Sequence, residues 1–316
     1  MTTTTAKLAL KKGVGGDNWR TYLKTDLAAS LDILDESILN AAYPWANLLT
    51  NPGFEVWQRG TGAFTTTAAF TADRWQMTIG TGTLSVSRDS ANADTGSQYC
   101  AAATTTGTVD SLVRQLLEDY IGLRGRTLTL SVRVKASVAS GVRIFLYDSV
   151  NAYRYSSYHT GGGAYETITL TLAIPAATTS IYAGIRFSAV GTFYIDSAVL
   201  VVGSVAPPYA PLHPQEDLAR CQRYYEVHGG VSATIAPYGY ATTGVNIGQA
   251  MVWRARKAVT PTVTKNGTWS VVNCGQPIVQ GAGPDNYSLY AAVTATGAAN
   301  FYTDSADDTV VGESNP

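Results

Sequence analysis

Residues 127–137 read TLTLSVRVKAS. Leu128, Leu130, Val132 and Val134 alternate with Thr129, Ser131, Arg133 and Lys135. A period of two puts one set on a buried face and the other toward solvent, which is the signature of a half-buried strand. The alternation recurs in GVRIFLYDS (141–149), ETITLTLAIP (166–175), SIYAGIRFS (180–188) and TFYIDSAVLVVG (192–203). Gly, Pro, Ser or Asn turns bound each run at short intervals. From 47 to 205 the reading is β throughout, and only SLVRQLLEDY (111–120) admits a turn or two of helix. Short strands spaced this regularly over such a length predict a β-sandwich or jelly roll.

The flanks differ. In 17–41, Leu27, Leu31, Leu34 and Ile38 form one narrow apolar stripe at helical spacing, with Asp17 placed to cap the start. The stripe fits a helix packed on the next domain, or a short parallel coiled coil. VAPPYAPLHP (205–214) carries four prolines in ten residues and reads as a rigid linker. QEDLARCQRYYEV (215–227) reads as a short amphipathic helix running into a strand. Strand-like runs then return to the C-terminus, with NGT (266–268) reading as a hairpin turn. The expected fold class is mainly β: a short N-terminal helix in 1–46, a β-sandwich jelly roll in 47–205, and a smaller β-rich C-terminal module in 206–316.

Composition narrows the function. Of 316 residues only 14% are charged and 45% are apolar, with 30 Gly, 19 Tyr and a formal net charge of −1. No basic excess is available to neutralise phosphates, so nucleic acid is not an expected partner. No apolar run reaches the roughly 20 residues that span a bilayer, so membrane insertion is not expected. Cys100, Cys221 and Cys274 are too few and too scattered for a disulfide framework or a zinc site and read as buried small side chains. The start, MTTTTAKLALKKG, has no apolar stretch of signal-peptide length. A secreted-looking composition without such a signal suits a virion part released by lysis.

LLTNPGFEVWQRG, FTADRW and FYIDSAVLVVG together resemble the galactose-binding-like jelly rolls, including carbohydrate-binding modules, of many phage tail proteins. DLARCQRYYE followed by MVWRARKAVTPTVT resembles a C-terminal module of phage tail fibres, and GDNWRTYLKTDLAASLDILD is similar to their virion-anchoring starts. The resemblance implies a tail fibre or receptor-binding protein in the exposed tail of a virion. It would be a homotrimer that docks on tail or baseplate proteins through its N-terminus and binds host surface glycans. It also implies that the 215–223 helix lies in the tip module's core or trimer seam. A purely structural virion adaptor or decoration fibre is the first alternative, and a glycan-degrading enzyme the second.

The resemblance also implies that the domain's first and last strands run side by side, which would bring Glu55 and Asp196 together as calcium ligands. Carbonyls near Asn51 and Gly53 would supplement them. Asp196 lies in an otherwise apolar strand, where an unpartnered buried carboxylate costs several kcal/mol. Pairing of either acid with Arg59 or Arg74, or exposure of Asp196, is the plainer expectation. Trp57 and Trp75 read as sandwich core. In 146–163, LYDSVNAYRYSSYHTGGG, Tyr153 and Tyr155 share a face if extended, and with Tyr158 they suit surface recognition or subunit packing equally. Tyr238, Tyr240 and Trp269 are candidate exposed contacts on the distal module. His159, His213 and His228 are scattered, and no Gly-x-Ser-x-Gly, HExxH or phosphate loop occurs, so catalysis is not expected.

Overall fold

The structure is a computed structural model, and it describes residues 47–107, 110–231 and 235–315. The leucine stripe of 17–41 lies outside the described residues. Among those described, no helix is long and apolar enough to cross a membrane.

Ten strands build a sandwich. One antiparallel sheet runs β1 (Gln76–Ile79), β4 (Ser111–Leu116), β9 (Ile181–Phe187), β6 (Val142–Asp148), β7 (Ala152–Tyr155). The other runs β2 (Thr83–Asp89), β3 (Cys100–Thr106), β10 (Gly191–Val202), β5 (Thr127–Ala136), β8 (Tyr165–Ala173). The stretch 127–137 behaves as its alternation requires. Leu128, Leu130, Val132, Val134 and Ala136 enter the core, where Ile144, Leu146, Ile185 and Phe193 meet them from the other strands. Trp57 and Trp75 are core residues too, and Phe54 stacks on Trp75 at 4.6 Å. Residues 111–116 form β4 rather than helix, because Val113 takes its place in the core between two paired neighbours. All three cysteines are free and buried.

β10 breaks its own alternation. Phe193 and Ile195 point inward, and so do Ala198 and Leu200. The parity changes at a β-bulge between Asp196 and Val199, where Ser197 adopts a positive φ of 48°. Strict alternation would have put Asp196 on the core side with Leu200. Asp196 instead keeps the outward parity set by Phe193 and Ile195, opposite Arg133, and the bulge shifts the residues after it.

After the proline linker, α1 (Pro214–Gln222) starts with Pro at its first turn and His213 as its cap. The helix docks on the sandwich: Arg220 donates to the carbonyls of Asn47 and Leu49, and Asp217 accepts the Asn51 amide at 3.2 Å. The helix thus sits against the sandwich, and none of its residues belongs to the distal module's apolar core, where the resemblance places it.

The distal module is one three-stranded ribbon broken into segments. The first pass holds β11 (Tyr225–Gly229), β12 (Tyr238–Ala241) and β13 (Asn246–Val252). The second holds β14 (Thr262–Lys265), β15 (Ser270–Val272) and β16 (Ile278–Ala282). The third, β17 (Asn286–Ala292), β18 (Gly297–Tyr302) and β19 (Thr309–Glu313), runs between them and pairs with both. Tyr225 faces Glu313, Tyr238 faces Asn300 and Asn246 faces Ala292, so the first and third passes keep one register throughout. The Asn-Gly at 266–267 is therefore a kink within the second pass and not a hairpin, since β14 and β15 pair with β19 and β18 and not with each other. Gly267 has φ +76°, and a Cβ there would lie 2.2 Å from Asp308 Oδ1. Trp253, Trp269, Tyr287, Leu289 and Phe301 form a separate second core.

Candidate functional site

The outer face of the β1-β4-β9-β6-β7 sheet carries a platform of rings and guanidinium groups. β6 sends Ile144 and Leu146 inward, so Arg143, Phe145 and Tyr147 point out. β7 follows after a three-residue turn that Asp148 organises, its Oδ1 accepting the amides of Val150 and Asn151. Burial pushes the Asp148 carboxyl up, but those amides and the Arg154 guanidinium outweigh it and hold the group below the ordinary carboxylate range. The turn fixes the register that sets Tyr153 opposite Tyr147 and Tyr155 opposite Phe145.

The rings then fall into place. Tyr153 and Tyr155 lie nearly parallel, 8° apart with centroids at 6.1 Å. Tyr147 packs on Tyr153 at 4.9 Å and on Tyr182 of β9 at 5.5 Å. Phe145 sits beneath, fully buried, its ring over Gly184 of β9. A Cβ at Gly184 would come within 2.6 Å of Phe145 Cζ, so only glycine lets that ring lie down.

Arginines interleave with the rings. The Arg143 guanidinium stands 3.8 Å over Tyr155 and 4.6 Å over Tyr158, and that of Arg114 stands 4.6 Å over Tyr182. Arg186 donates to the Tyr155 hydroxyl and pairs with Asp110 at 2.8 Å. The Nε atoms of Arg114, Arg143 and Arg186 are buried without a hydrogen-bond acceptor. The Nε edges are closed to a ligand; Arg114 Nη1 reaches the Tyr153 hydroxyl at 3.5 Å, and the Nη atoms of Arg143 are the ones left facing sideways from the rings.

The structure thus brings together Tyr153, Tyr155 and Tyr158 as the sequence suggested, and adds Tyr147, Tyr182, Arg114, Arg143 and Arg186. Alternation could have shown that Tyr182 and Arg186 share a face of one strand. No sequence signal says that this strand lies between those of Arg143 and Arg114. Tyr238 and Tyr240 sit apart on β12 of the ribbon, 74% and 78% exposed. Trp269 is corrected: it is 1% exposed, donates to the Asn266 carbonyl at 2.8 Å and packs on Phe301, so it is core and offers nothing to a ligand.

The opening segment does run beside β10, with the Leu48 amide on the Leu200 carbonyl and the Ala198 amide on that of Pro52. Glu55 and Asp196, however, each spend themselves on the 89–99 loop. Glu55 accepts the amides of Gln98 and Tyr99. Asp196 is buried and accepts from the Asp94 amide and the Ser97 and Ser197 hydroxyls. Burial pushes its pKa up to about 6 against the pull of those donors. A cation needs about six to eight oxygen acceptors, whereas hydrogen-bond donors surround this carboxylate. Among the described residues no group of three or more His, Cys, Asp or Glu is placed to hold a metal ion, so the arrangement does not fit calcium. The plainer expectations fail as well: Arg59 pairs with Asp73 and Glu313, and Arg74 stacks on Tyr224.

No family profile and no curated protein matches the chain. Among solved structures, the enzymatically active domain of tailspike protein 4 of bacteriophage CBA120 aligns at 16% identity and a TM-score of 0.37, covering 51% of this chain and 22% of that one. TmCBM61 in complex with β-1,4-galactotriose aligns at 20% identity and a TM-score of 0.35, covering 50% and 99%. The C-terminal family 22 carbohydrate-binding module of Clostridium thermocellum Xyn10B aligns at 19% and 0.33, covering 48% and 99%. The latter two are carbohydrate-binding modules by name, and one of them holds galactotriose.

Proposed function

We propose that the protein binds glycans through the platform of Tyr147, Tyr153, Tyr155, Tyr158 and Tyr182, and that it does so as a phage tail fibre or receptor-binding protein. The observation that carries the reading is an array of half-exposed rings on an outer sheet face, where the fold has no core to fill. Flat rings suit the apolar faces of sugars, and the adjoining guanidinium and hydroxyl groups suit their oxygens. Binding without catalysis is part of the proposal.

The ribbon supports assembly into a homotrimer exposed on the virion tail. Val252 is 73% exposed and Ile278 51% on the β13-β17-β16 sheet, and on the β12-β18-β15 sheet Val272 shares a cross-strand row with Tyr238. Exposed side chains of this size favour burial against another subunit. Three linked platforms would turn weak single-site affinity into avidity.

The test is a glycan array probed with the full chain and with Tyr155→Ala, folding being checked by thermal melting. The parent should bind host-surface polysaccharide, and the variant should lose about tenfold in affinity, as expected for one interface aromatic. An intact parent that binds no glycan, or that releases reducing sugar from one, overturns the proposal. The same exposed side chains favour the adaptor reading if platform variants leave host adsorption unchanged while ribbon variants stop particle assembly.

A further inference from the structure

The platform's charge is lopsided. Arg114, Arg143 and Arg186 project from three adjacent strands, and Asp110 is the one carboxylate paired with any of them. Arg143 has no ion-pair partner among the described residues, and its Nε is one of the three buried there without an acceptor. A buried donor left without an acceptor is unfavourable. Arg114 Nη1 reaches the Tyr153 hydroxyl at 3.5 Å, and Arg186 is taken by Asp110 and Tyr155, whereas the Nη donors of Arg143 lie sideways of the rings it stacks on with no acceptor among the described residues. The chain as a whole carries a net charge of −1, so this local excess of positive charge runs against its composition.

We infer that the sugar bound here is anionic, its ring lying on the Tyr153–Tyr155 surface and its carboxylate or sulfate group taken by Arg143 and Arg114. A neutral sugar hydroxyl would satisfy one N–H at a time. A carboxylate or sulfate accepts two parallel bonds from a guanidinium fork, and such charge-assisted bonds are about twice as strong as neutral ones. Arg186 is already committed to Asp110 and the Tyr155 hydroxyl, and it holds that ring in position. The inference rests on the glycan-binding reading of the same platform and adds the class of sugar.

The experiment measures binding of the full chain by calorimetry to polygalacturonate, to the same polymer fully methyl-esterified, to dextran sulfate and to dextran. At least one of the charged polymers should bind about tenfold tighter than its neutral counterpart, the equivalent of about 1.4 kcal/mol, and its affinity should fall as salt rises. Preference for polygalacturonate would assign the carboxylate source, and preference for dextran sulfate the sulfate source. Arg143→Gln should abolish the preference, while Arg143→Lys should keep the salt dependence and lose part of the affinity, since lysine has charge but no fork. Equal binding to charged and neutral polymers, or a preference untouched by Arg143→Gln in a variant that melts like the parent, overturns the anionic inference and leaves glycan binding standing. Binding to none of the four, by a chain that also binds nothing on the glycan array, removes both.

Discussion

Glu226 shows how much a single position can decide. It is buried, with Lys257 Nζ and His228 Nε2 both at 2.6 Å and the Arg254 amide at 2.9 Å. Burial alone would raise its pKa, but these donors outweigh it and hold the carboxyl at about 2. The same burial pulls the Lys257 ammonium below its ordinary value, so each charge persists because the other faces it. The folded pKa of Glu226 lies below the ordinary 4.5, so its stabilisation is full above that pH and is lost as pH falls toward 2. Melting followed by near-UV circular dichroism should show the midpoint dropping across that window, and Glu226→Gln should flatten the drop. Lys257→Ala, which strands the carboxylate, should destabilise by about 3–5 kcal/mol in denaturant titrations at neutral pH. None of this was legible from the sequence, because Glu226 and Lys257 are 31 positions apart and belong to different segments.

At the scale of elements, alternation was a reliable guide wherever pairing was regular, as in β5 and β9. It failed where the backbone departed from the pleat. Asp196 is buried as an apolar strand suggests, but the Asp94 amide and the Ser97 and Ser197 hydroxyls satisfy it, which removes the reason to expect a metal beside it. The Asn-Gly kink misled because the same left-handed glycine serves a hairpin and a bend, and only the pairing partners distinguish them. Gly267→Ala should cost about 1–3 kcal/mol, read as a lower denaturant midpoint, because it combines a positive φ with a contact on Asp308. Asp308 is buried and accepts the Asp304 and Ser305 amides. Gly184→Ala should lift Phe145 and press on the Val113 carbonyl, which a Cβ there would approach to 2.6 Å, so glycan affinity and melting midpoint should fall together.

For the whole molecule, the two cores are joined by a seam of cations and rings. Arg74 lies 3.8 Å under the Tyr224 ring, and Arg59 lies 3.7 Å under that of Tyr225. Glu118 accepts from both Arg223 and Tyr224. The Arg-Tyr-Tyr stretch at 223–225 is therefore a joint between sandwich and ribbon, and sequence alone could not show this because its partners lie more than a hundred positions upstream. The intact chain should melt in one transition, and Arg59→Ala combined with Arg74→Ala should split it into two in calorimetry. Sedimentation of Val252→Asp with Ile278→Asp should give monomers in place of the proposed trimer. The pairing of the ribbon also sets an order in time. Its middle pass leaves the ribosome after the other two, so those two have nothing to zip onto until it follows. A nascent chain must hold some sixty sticky residues unpaired through that wait, and a premature stop before 286 would forfeit the entire distal module and not just its tail.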